Sequence, residues 1–368
     1  MIWLENQGVI KMKKVVVGMS GGVDSSVCAY LLKEQGYEVI GATMQLWRTE
    51  EQQKQSPDGS GGVEDILEAR KVAECLGIPH YVMNFYNSFQ EKVVDKFTNE
   101  YLRGMTPNPC VICNRQIKWG EFHKKAIELG ADYIATGHYG RILKLENGRY
   151  TVKNSVTCEK DQTYVLYALT QDQLAHTLMP VGDYEKSEIR KIAEKIGLPV
   201  AHKKDSQDIC FIDDGDYAGF IKSKTGSLGK PGKFVTSNNE VLGKHTGTVQ
   251  YTIGQRKGLG IAVGYPLYVC GINAENGEIK LGKQDELFST CLYANDLNYM
   301  GESRFDENKI YHAKVRYSQD SKACRVTYIN ENEIKVDFLD KVRAITPGQA
   351  LVLYTDDWVA GGGTIARV

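Results

Sequence analysis

The stretch Val15-Val-Val-Gly-Met-Ser-Gly-Gly-Val-Asp-Ser-Ser26 limits the fold more than any other, because an unbroken apolar strand turns through small residues directly into a helix. A strand that is apolar at every position is buried on both faces, the habit of a parallel sheet covered by crossover helices. The turn also carries chemistry. At a helix N-terminus the backbone N–H groups bear partial positive charge, glycines admit close approach, and serine hydroxyls add donors without bulk, so such a turn cradles phosphate. It contains no Lys, which excludes the Gly-Lys-Ser/Thr phosphate loop, and its glycine spacing is not the dinucleotide fingerprint. A merely capped Gly/Ser turn is the plainer alternative.

The alternation of strand and helix continues. Gly36 closes the first helix, and strands are expected at 38–43, 80–85 and 133–136 with helices between them. Phe89, Val93, Phe97 and Tyr101 recur every four positions and mark a buried helix face, as do Leu67, Val72 and Leu76 over 64–76. A polar, glycine-rich loop at 49–62 reads as mobile, either a lid or slack. Asn147-Gly148 signals a hairpin between 141–145 and 149–153, where the parallel pattern ends. A short helix near 187–196 follows, with Gly197 and Pro199 past its end. Residues 226–264 are glycine-rich with short polar strands. The stretches 311–318, 324–329, 333–338, 350–354 and 363–368 then alternate as in a small barrel or sandwich.

At 368 residues two or three domains fit, and 45 basic against 46 acidic side chains leave a net charge of -1, so bulk charge identifies no partner. No run approaches the roughly 18 apolar residues of a spanning helix, and residues 1–12 lack the signal-peptide pattern. The chain is therefore expected in the cytoplasm without a membrane partner. Residues 1–12 read as an unstructured extension, with Met1 and Met12 both open as starts.

Nine cysteines at scattered spacings argue against a secreted disulfide framework. Thr106-Pro-Asn-Pro-Cys110-Val-Ile-Cys113-Asn114 lies between two helices, its prolines stiffening the turn. A further thiol stands in Asp205-Ser-Gln-Asp-Ile-Cys210. A zinc knuckle, an inert or redox pair, and a sulfur-transfer site compete. Zinc wants four ligands, and no second close pair follows Cys110 and Cys113. Two separated thiols beside a nucleotide loop suit sulfur transfer, one carrying a persulfide while the other attacks it or its adduct. The other six, Cys28, Cys75, Cys158, Cys270, Cys291 and Cys324, are expected as small buried hydrophobes.

The loop resembles that of the ATP pyrophosphatases (the PP-loop superfamily), which cleave ATP between its α and β phosphates. The loop at 20–26, Asn108-Pro-x-x-x-Cys113-Asn114, Ala135-Thr-Gly-His-Tyr139, Lys160-Asp-Gln162, Asp205-Ser-x-x-x-Cys210-Phe-Ile and Tyr251-Thr-Ile-Gly-Gln-Arg-Lys-Gly258 together occur in the order of one family. From about residue 13 to 368 the chain resembles the tRNA-specific 2-thiouridylases.

The resemblance implies an α/β fold class: an N-terminal parallel-sheet nucleotide α-hydrolase (PP-loop) domain over 1–212, a small central tRNA-binding domain over 213–278, and a C-terminal β-barrel over 279–368. It implies ATP at Gly18, Met19, Ser20, Gly21, Gly22, Val23, Asp24 and Ser25, with Met44 and Gly137 contacting adenine. The implied reaction makes 2-thiouridine at the wobble position of the anticodon, by adenylation of the uridine C2 oxygen and then sulfur transfer. By the same resemblance Cys210 carries the persulfide, Cys113 is the nucleophile, and the two end as a disulfide. Asn108, Pro109 and Cys110 lie beside the target base, and His138, Lys160, Asp161, Gln162, Arg316, Tyr317 and Gln349 contact the tRNA. The sulfur donor is open between a relay protein and a cysteine desulfurase.

Asp24 is the candidate ligand for Mg²⁺, since a carboxylate beside phosphates usually serves a hard cation, against a helix-capping role. Cys110 departs from the family, whose well-known members carry Asp there for proton transfer. With Cys113 and Cys210 it makes three thiolates, enough to hold an iron-sulfur cluster as a rival mechanism, unless Cys110 is simply tolerated. His138 has the alternative of a satisfied core histidine. Residues 241–274 hold Lys244, Arg256 and Lys257 and no acid, an imbalance suited to phosphates or merely a basic edge. The rivals in function are another PP-loop synthetase with an amine acceptor, which has no use for paired thiols, and a non-catalytic tRNA or cluster binder.

Overall fold

The fold is described from a computed structural model covering residues 12–46, 63–204, 209–212 and 215–368. The expected extension at 1–12 (all but Met12), the loop at 49–62 and the start of the Cys210 segment at 205–208 lie outside the described residues.

Strands β1 (Lys14–Gly18), β2 (Glu38–Gln45), β3 (His80–Asn84), β4 (Tyr133–Thr136) and, beyond the hairpin of β5 (Arg141–Lys144) and β6 (Tyr150–Lys153), β7 (Thr177–Leu178) build the first domain. Its sheet is wholly parallel, in the order β3-β2-β1-β4-β7. The valine run explains its centre: Val15, Val16 and Val17 are fully buried, Val16 in the core on one face and Val15 and Val17 in the core on the other. Strand order runs one way from β1 to β2 and the other way to β4. A crevice therefore opens at the carboxyl ends of β1 and β4, where sheets of this kind bind ligands.

The four-residue stripe is core. Phe89, Val93 and Phe97 are fully buried and Tyr101 nearly so. Steps of four overshoot a 3.6-residue α-turn. The helix meets this with wider π-helical turns at Gln90–Asp95, between α-helical Tyr86–Phe89 and Lys96–Leu102. A second π-helical run, Asn114–Phe122, follows the short helix Pro109–Cys113. In helix Val63–Leu76, Leu67 is exposed, contrary to expectation; Ala69 and Ala73 join Val72 and Leu76 on the buried face instead.

The hairpin forms as its Asn-Gly turn requires, with Gly148 at φ +80°. Although it falls inside 1–212, it attaches to the barrel sheet, where Lys153 of β6 faces Trp358. A central sheet of β8 (Gly232–Val235), β9 (Val241–His245), β10 (Tyr268–Asn273) and β11 (Glu278–Gly282) packs around Phe234, Val269, Ile279 and Leu281. The last domain is a closed antiparallel barrel of β12 (Phe288–Tyr299), β13 (Tyr311–Lys314), β14 (Lys322–Asn330), β15 (Glu333–Arg343), β16 (Ala350–Thr355) and β17 (Trp358–Arg367), in the order β12-β15-β14-β13-β16-β17 with β17 returning to β12.

Long β12 has no clean alternation in sequence, because bulges near Ser289 and between Asn295 and Asn298 interrupt its register. β13 stops at Lys314 rather than 318, and β17 starts five residues before 363. Gly362 of β17 lies so close to the first domain that a Cβ there would sit 2.7 Å from Tyr167 Cδ2 and 2.2 Å from Leu351 O. Of the six cysteines expected as buried, only Cys28 and Cys324 are; Cys270 and Cys291 are half-buried, and Cys75 and Cys158 are exposed. A helix or strand pattern fixes a residue's face, but the described residues cover the faces of these four thiols only partly or not at all.

Candidate active site

The glycine-rich turn occupies the crevice. Gly21 has φ +69°, and a Cβ there would meet Asp65 O at 2.7 Å, so the helix Val63–Leu76 closes the turn from one side. Gly137, just past β4, closes it from the other: a Cβ would lie 2.5 Å from Ser25 N. Gly18 is backed by Met44, whose Cε lies 3.2 Å from the position of its missing Cβ. The loop residues expected at ATP, with Met44 and Gly137, are thus brought together. Ser25 Oγ donates to Gly22 O at 3.2 Å and accepts from Ser20 N, and Ser26 Oγ donates to Gly22 O at 2.8 Å. These bonds fix the loop before any phosphate arrives.

Asp24, in the first turn of helix Val23–Glu34, is fully engaged. Its carboxylate accepts from Lys186 Nζ at 2.7 and 2.8 Å and from the Tyr139 hydroxyl at 2.7 Å. It makes no cap, since Gly22 occupies that position. Lys186 was not singled out in the sequence, and Tyr139 stood only as the end of the segment 135–139, with no role of its own. Lys186 left one signal: it opens helix Lys186–Lys195, where the positive end of the dipole disfavours a cation unless an outside acid holds it.

Asn108 caps the helix of the two cysteines, its Oδ1 accepting from Cys110 N at 3.1 Å and Val111 N at 3.4 Å, with Pro109 at the first helical position. Cys113 is buried in the turn, whereas Cys110 and Cys210 keep accessible surface within densely packed surroundings. Burial pushes the Cys113 thiol up to about 11 and Cys210 to about 12, and raises Cys110 as well. The charge of Cys110 opposes ionisation of Cys113, and both oppose that of Cys210, which lies nearly a hundred positions further along the chain. Among the described residues no three His, Cys, Asp or Glu side chains converge as a metal-ligand set. Cys113 is buried, whereas Cys110 and Cys210 are exposed.

Lys118 was also missed. Its Nζ lies 3.2 Å from His138 Nε2, and its charge favours the thiolate at all three cysteines. His138 Nδ1 lies 2.8 Å from Thr136 Oγ1, and burial followed by the Lys118 charge holds the imidazole well below its ordinary pKa, hence neutral.

Most of the residues expected at tRNA already have partners within the chain. Gln162 exchanges bonds with Tyr139: its Oε1 accepts from Tyr139 N at 2.9 Å and its N–H donates to Tyr139 O at 2.8 Å. Asp161 accepts from Ser155 N and from Thr163 N and Oγ1. Lys160 closes the same short turn. Arg316 donates to Ile253 O at 2.8 Å, to Ala344 O at 3.2 Å and to Thr346 Oγ1, tying the central domain to the barrel. Gln349 donates to Thr106 O at 2.8 Å and more weakly to Pro107 O, gripping the chain just before Asn108. Tyr317 is exposed beside Tyr164, and the charges of Asp161 and Cys110 reach it. Lys244, Arg256 and Lys257 are exposed on the central domain.

A parallel sheet with a phosphate cradle at its switch point, joined through a small sheet to a closed barrel, defines an α/β nucleotide-binding enzyme of the PP-loop class. Family models agree: the tRNA methyl transferase HUP domain matches residues 13–214, the tRNA methyl transferase PRC-barrel domain 218–283, and the aminomethyltransferase beta-barrel domain 289–365. The chain belongs to the tRNA-specific 2-thiouridylase (MnmA) family. It is 53% identical over 357 residues to the tRNA-specific 2-thiouridylase MnmA of Lachnoclostridium phytofermentans, covering 97% of this chain and 100% of that one. Against tRNA-specific 2-thiouridylase MnmA 2 of Clostridium tetani it is 52% identical, covering 97% and 99%; against the Clostridioides difficile relative it is 50% identical, covering 96% and 98%.

Proposed function

We propose that this protein is an ATP-dependent tRNA-uridine 2-sulfurtransferase acting on the wobble uridine of an anticodon. The observation that carries the reading is that the helix bearing Cys110 and Cys113 continues to Lys118, whose contact with His138 leads to Gly137 at the nucleotide loop, with Cys210 within reach of the Cys113 charge.

The loop 18–25 holds the triphosphate on backbone N–H groups, and Met44 and Gly137 flank the adenine. Uridine C2 oxygen attacks the α phosphate, pyrophosphate leaves, and C2 bears a leaving group in place of an oxygen that would not depart. The outer sulfur of a Cys210 persulfide attacks C2 and AMP leaves. Cys113 thiolate then attacks Cys210 Sγ, cleaving the S–S bond, so that 2-thiouridine departs and a Cys113–Cys210 disulfide remains for an external thiol reductant. The base must be unstacked to enter, with Asn108, Pro109 and Cys110 beside it.

Mg²⁺ fits one protein carboxylate plus phosphate oxygens, and Asp24 would hold it, yielding Lys186 to the phosphates; the ion supplies charge neutralisation on the departing pyrophosphate. Among the described residues the three thiols do not converge as a ligand set for an iron-sulfur cluster, which favours the persulfide route. His138, Lys160, Asp161, Gln162, Arg316, Tyr317 and Gln349 remain the proposed tRNA-facing residues, on a working division at 1–212, 213–278 and 279–368. The sulfur donor is a relay protein or a cysteine desulfurase, and the setting is the cytoplasm.

The test is an anaerobic assay with unmodified tRNA, ATP, Mg²⁺, a thiol reductant and a sulfane-sulfur source (a cysteine desulfurase with L-cysteine), following 2-thiouridine and pyrophosphate. Pyrophosphate release that depends on tRNA and 2-thiouridine that depends on Cys113 and Cys210 support the reading. Release without any need for tRNA, or thiolation that survives loss of both thiols, overturns it.

A further inference from the structure

The sulfur-transfer reading needs anionic sulfur at Cys113 and Cys210, in a place that opposes it. Protein atoms displace water from both thiols, and each thiolate repels the others. Lys118 lies on the π-helical run Asn114–Phe122 that begins directly after Cys113, and its charge reaches Cys110, Cys113 and Cys210 alike. Runs of this kind occur often at functional sites, because the extra residue re-aims a side chain.

The tether of Lys118 has a definite polarity. An ammonium only donates, so at 3.2 Å Lys118 donates to His138 Nε2, and the ring proton sits on Nδ1, which donates to Thr136 Oγ1 at 2.8 Å. The ring is neutral and leans on the Trp119 indole at 5.4 Å between centroids. Thr136 ends β4, and the next residue, Gly137, packs on the phosphate loop. The ammonium is thereby fixed from the nucleotide side of the crevice.

We propose that Lys118, tethered by His138 on the π-helical run that follows Cys113, is the positioning cation of the sulfur-transfer site and offsets the negative charge that develops on the Cys113 and Cys210 sulfurs during transfer. The purpose rests on the sulfurtransferase reading; the geometry does not. The titratable groups around it are Cys110 and Cys113 on their helix, Cys210 opposite, His138 after β4, and, beyond Cys110, Tyr317 and Asp161. Among these Lys118 is the group that favours the thiolates. His138 acquires a role as the acceptor that aims Lys118.

The test is site-resolved alkylation by iodoacetamide, read by mass spectrometry across pH on the full chain without tRNA or ATP. In Lys118→Met and Lys118→Gln the profiles of Cys113 and Cys210 are expected to move to higher pH by about one unit, which is about tenfold slower labelling at a given pH below the midpoint. Lys118→Arg keeps the charge and is expected to follow the wild type, and ATP affinity is expected to stay unchanged in all three. Coincident profiles in wild type and Lys118→Gln overturn the proposal, as does an equal shift in Lys118→Arg, since that traces the effect to packing rather than charge. Thiolation of tRNA in the wild type is read in parallel: its absence defeats the sulfurtransferase reading and leaves the alkylation result standing on its own.

Discussion

Between Gly18 and Ser26 the bonds that shape the turn join residues three to five positions apart, whereas the cysteine turn at 106–113 is gripped by Gln349, 243 positions away. The phosphate loop is a local object, completed by the neighbouring strand and two close-packed glycines. The thiol site is an assembly of the π-helical run, the residues after β4, the Cys210 segment and the barrel. The loop presents backbone donors suited to an anion. In the thiol site the Lys118 charge reaches three groups that can become anions. Such a difference teaches where each half is vulnerable: the first to changes of shape, the second to changes of charge and docking.

The largest effect comes from removing a thiol. Cys113→Ser or Cys210→Ser is expected to lower 2-thiouridine formation more than about a thousandfold, as for residues that act as one unit, while tRNA-dependent pyrophosphate release persists. Nucleoside chromatography beside a pyrophosphate assay checks this, and equal loss of both signals would dissolve the distinction between the two regions.

The next effect is on pH. With Cys113 pushed up to about 11, its thiol is protonated at neutral pH and ionises progressively as pH rises. Its alkylation is expected to climb about tenfold per unit from roughly pH 7 to 10, while ATP binding measured calorimetrically stays nearly flat. A plateau below pH 9 would show that the cluster stabilises its thiolates far more than its burial suggests.

Gly137→Ala probes the loop alone. The new methyl would press on Ser25 N and on Asp24 C at 2.5 and 2.6 Å, both backbone. About 1–3 kcal/mol of stability is expected to be lost to overpacking, with ATP affinity down about tenfold. The alkylation profile of Cys113 should not move. Calorimetry and chemical denaturation read the first two.

The smallest effect sharpens the barrel's part. Gln349→Ala removes the donors to the Thr106 and Pro107 carbonyls, about 1 kcal/mol of stability, and is expected to slow thiolation a few-fold with ATP affinity unchanged. Wild-type thiolation at wild-type tRNA affinity would mean that the turn at 106–113 is rigid without the barrel.

Much of the fold was legible because it is written locally. The valine run, the Asn-Gly hairpin and the four-residue stripe each specify a period or a turn, and each has its structural counterpart. Leu67 and the long strand β12 were not legible for opposite reasons. Leu67 has the right period but is exposed among the described residues, and β12 has neighbours on both sides but a bulged, broken period. In the site, glycine, serine and cysteine positions stood out by residue type. Lys118 and Lys186 did not, since a lysine's meaning depends on which distant group it meets.

The sequence by itself determined that a phosphate-cradling turn follows a buried strand, that two thiol segments accompany it, and that a β domain closes the chain. These follow from backbone preference, hydrophobic period and side-chain chemistry, which act within a few residues. Only the tertiary structure decided that Asp24 is met by Lys186 and Tyr139, that Arg316 and Gln349 tie domains together, and that Lys118 meets His138. Charges and close packing act through space, so their outcome depends on which remote segments the fold brings within a few ångströms.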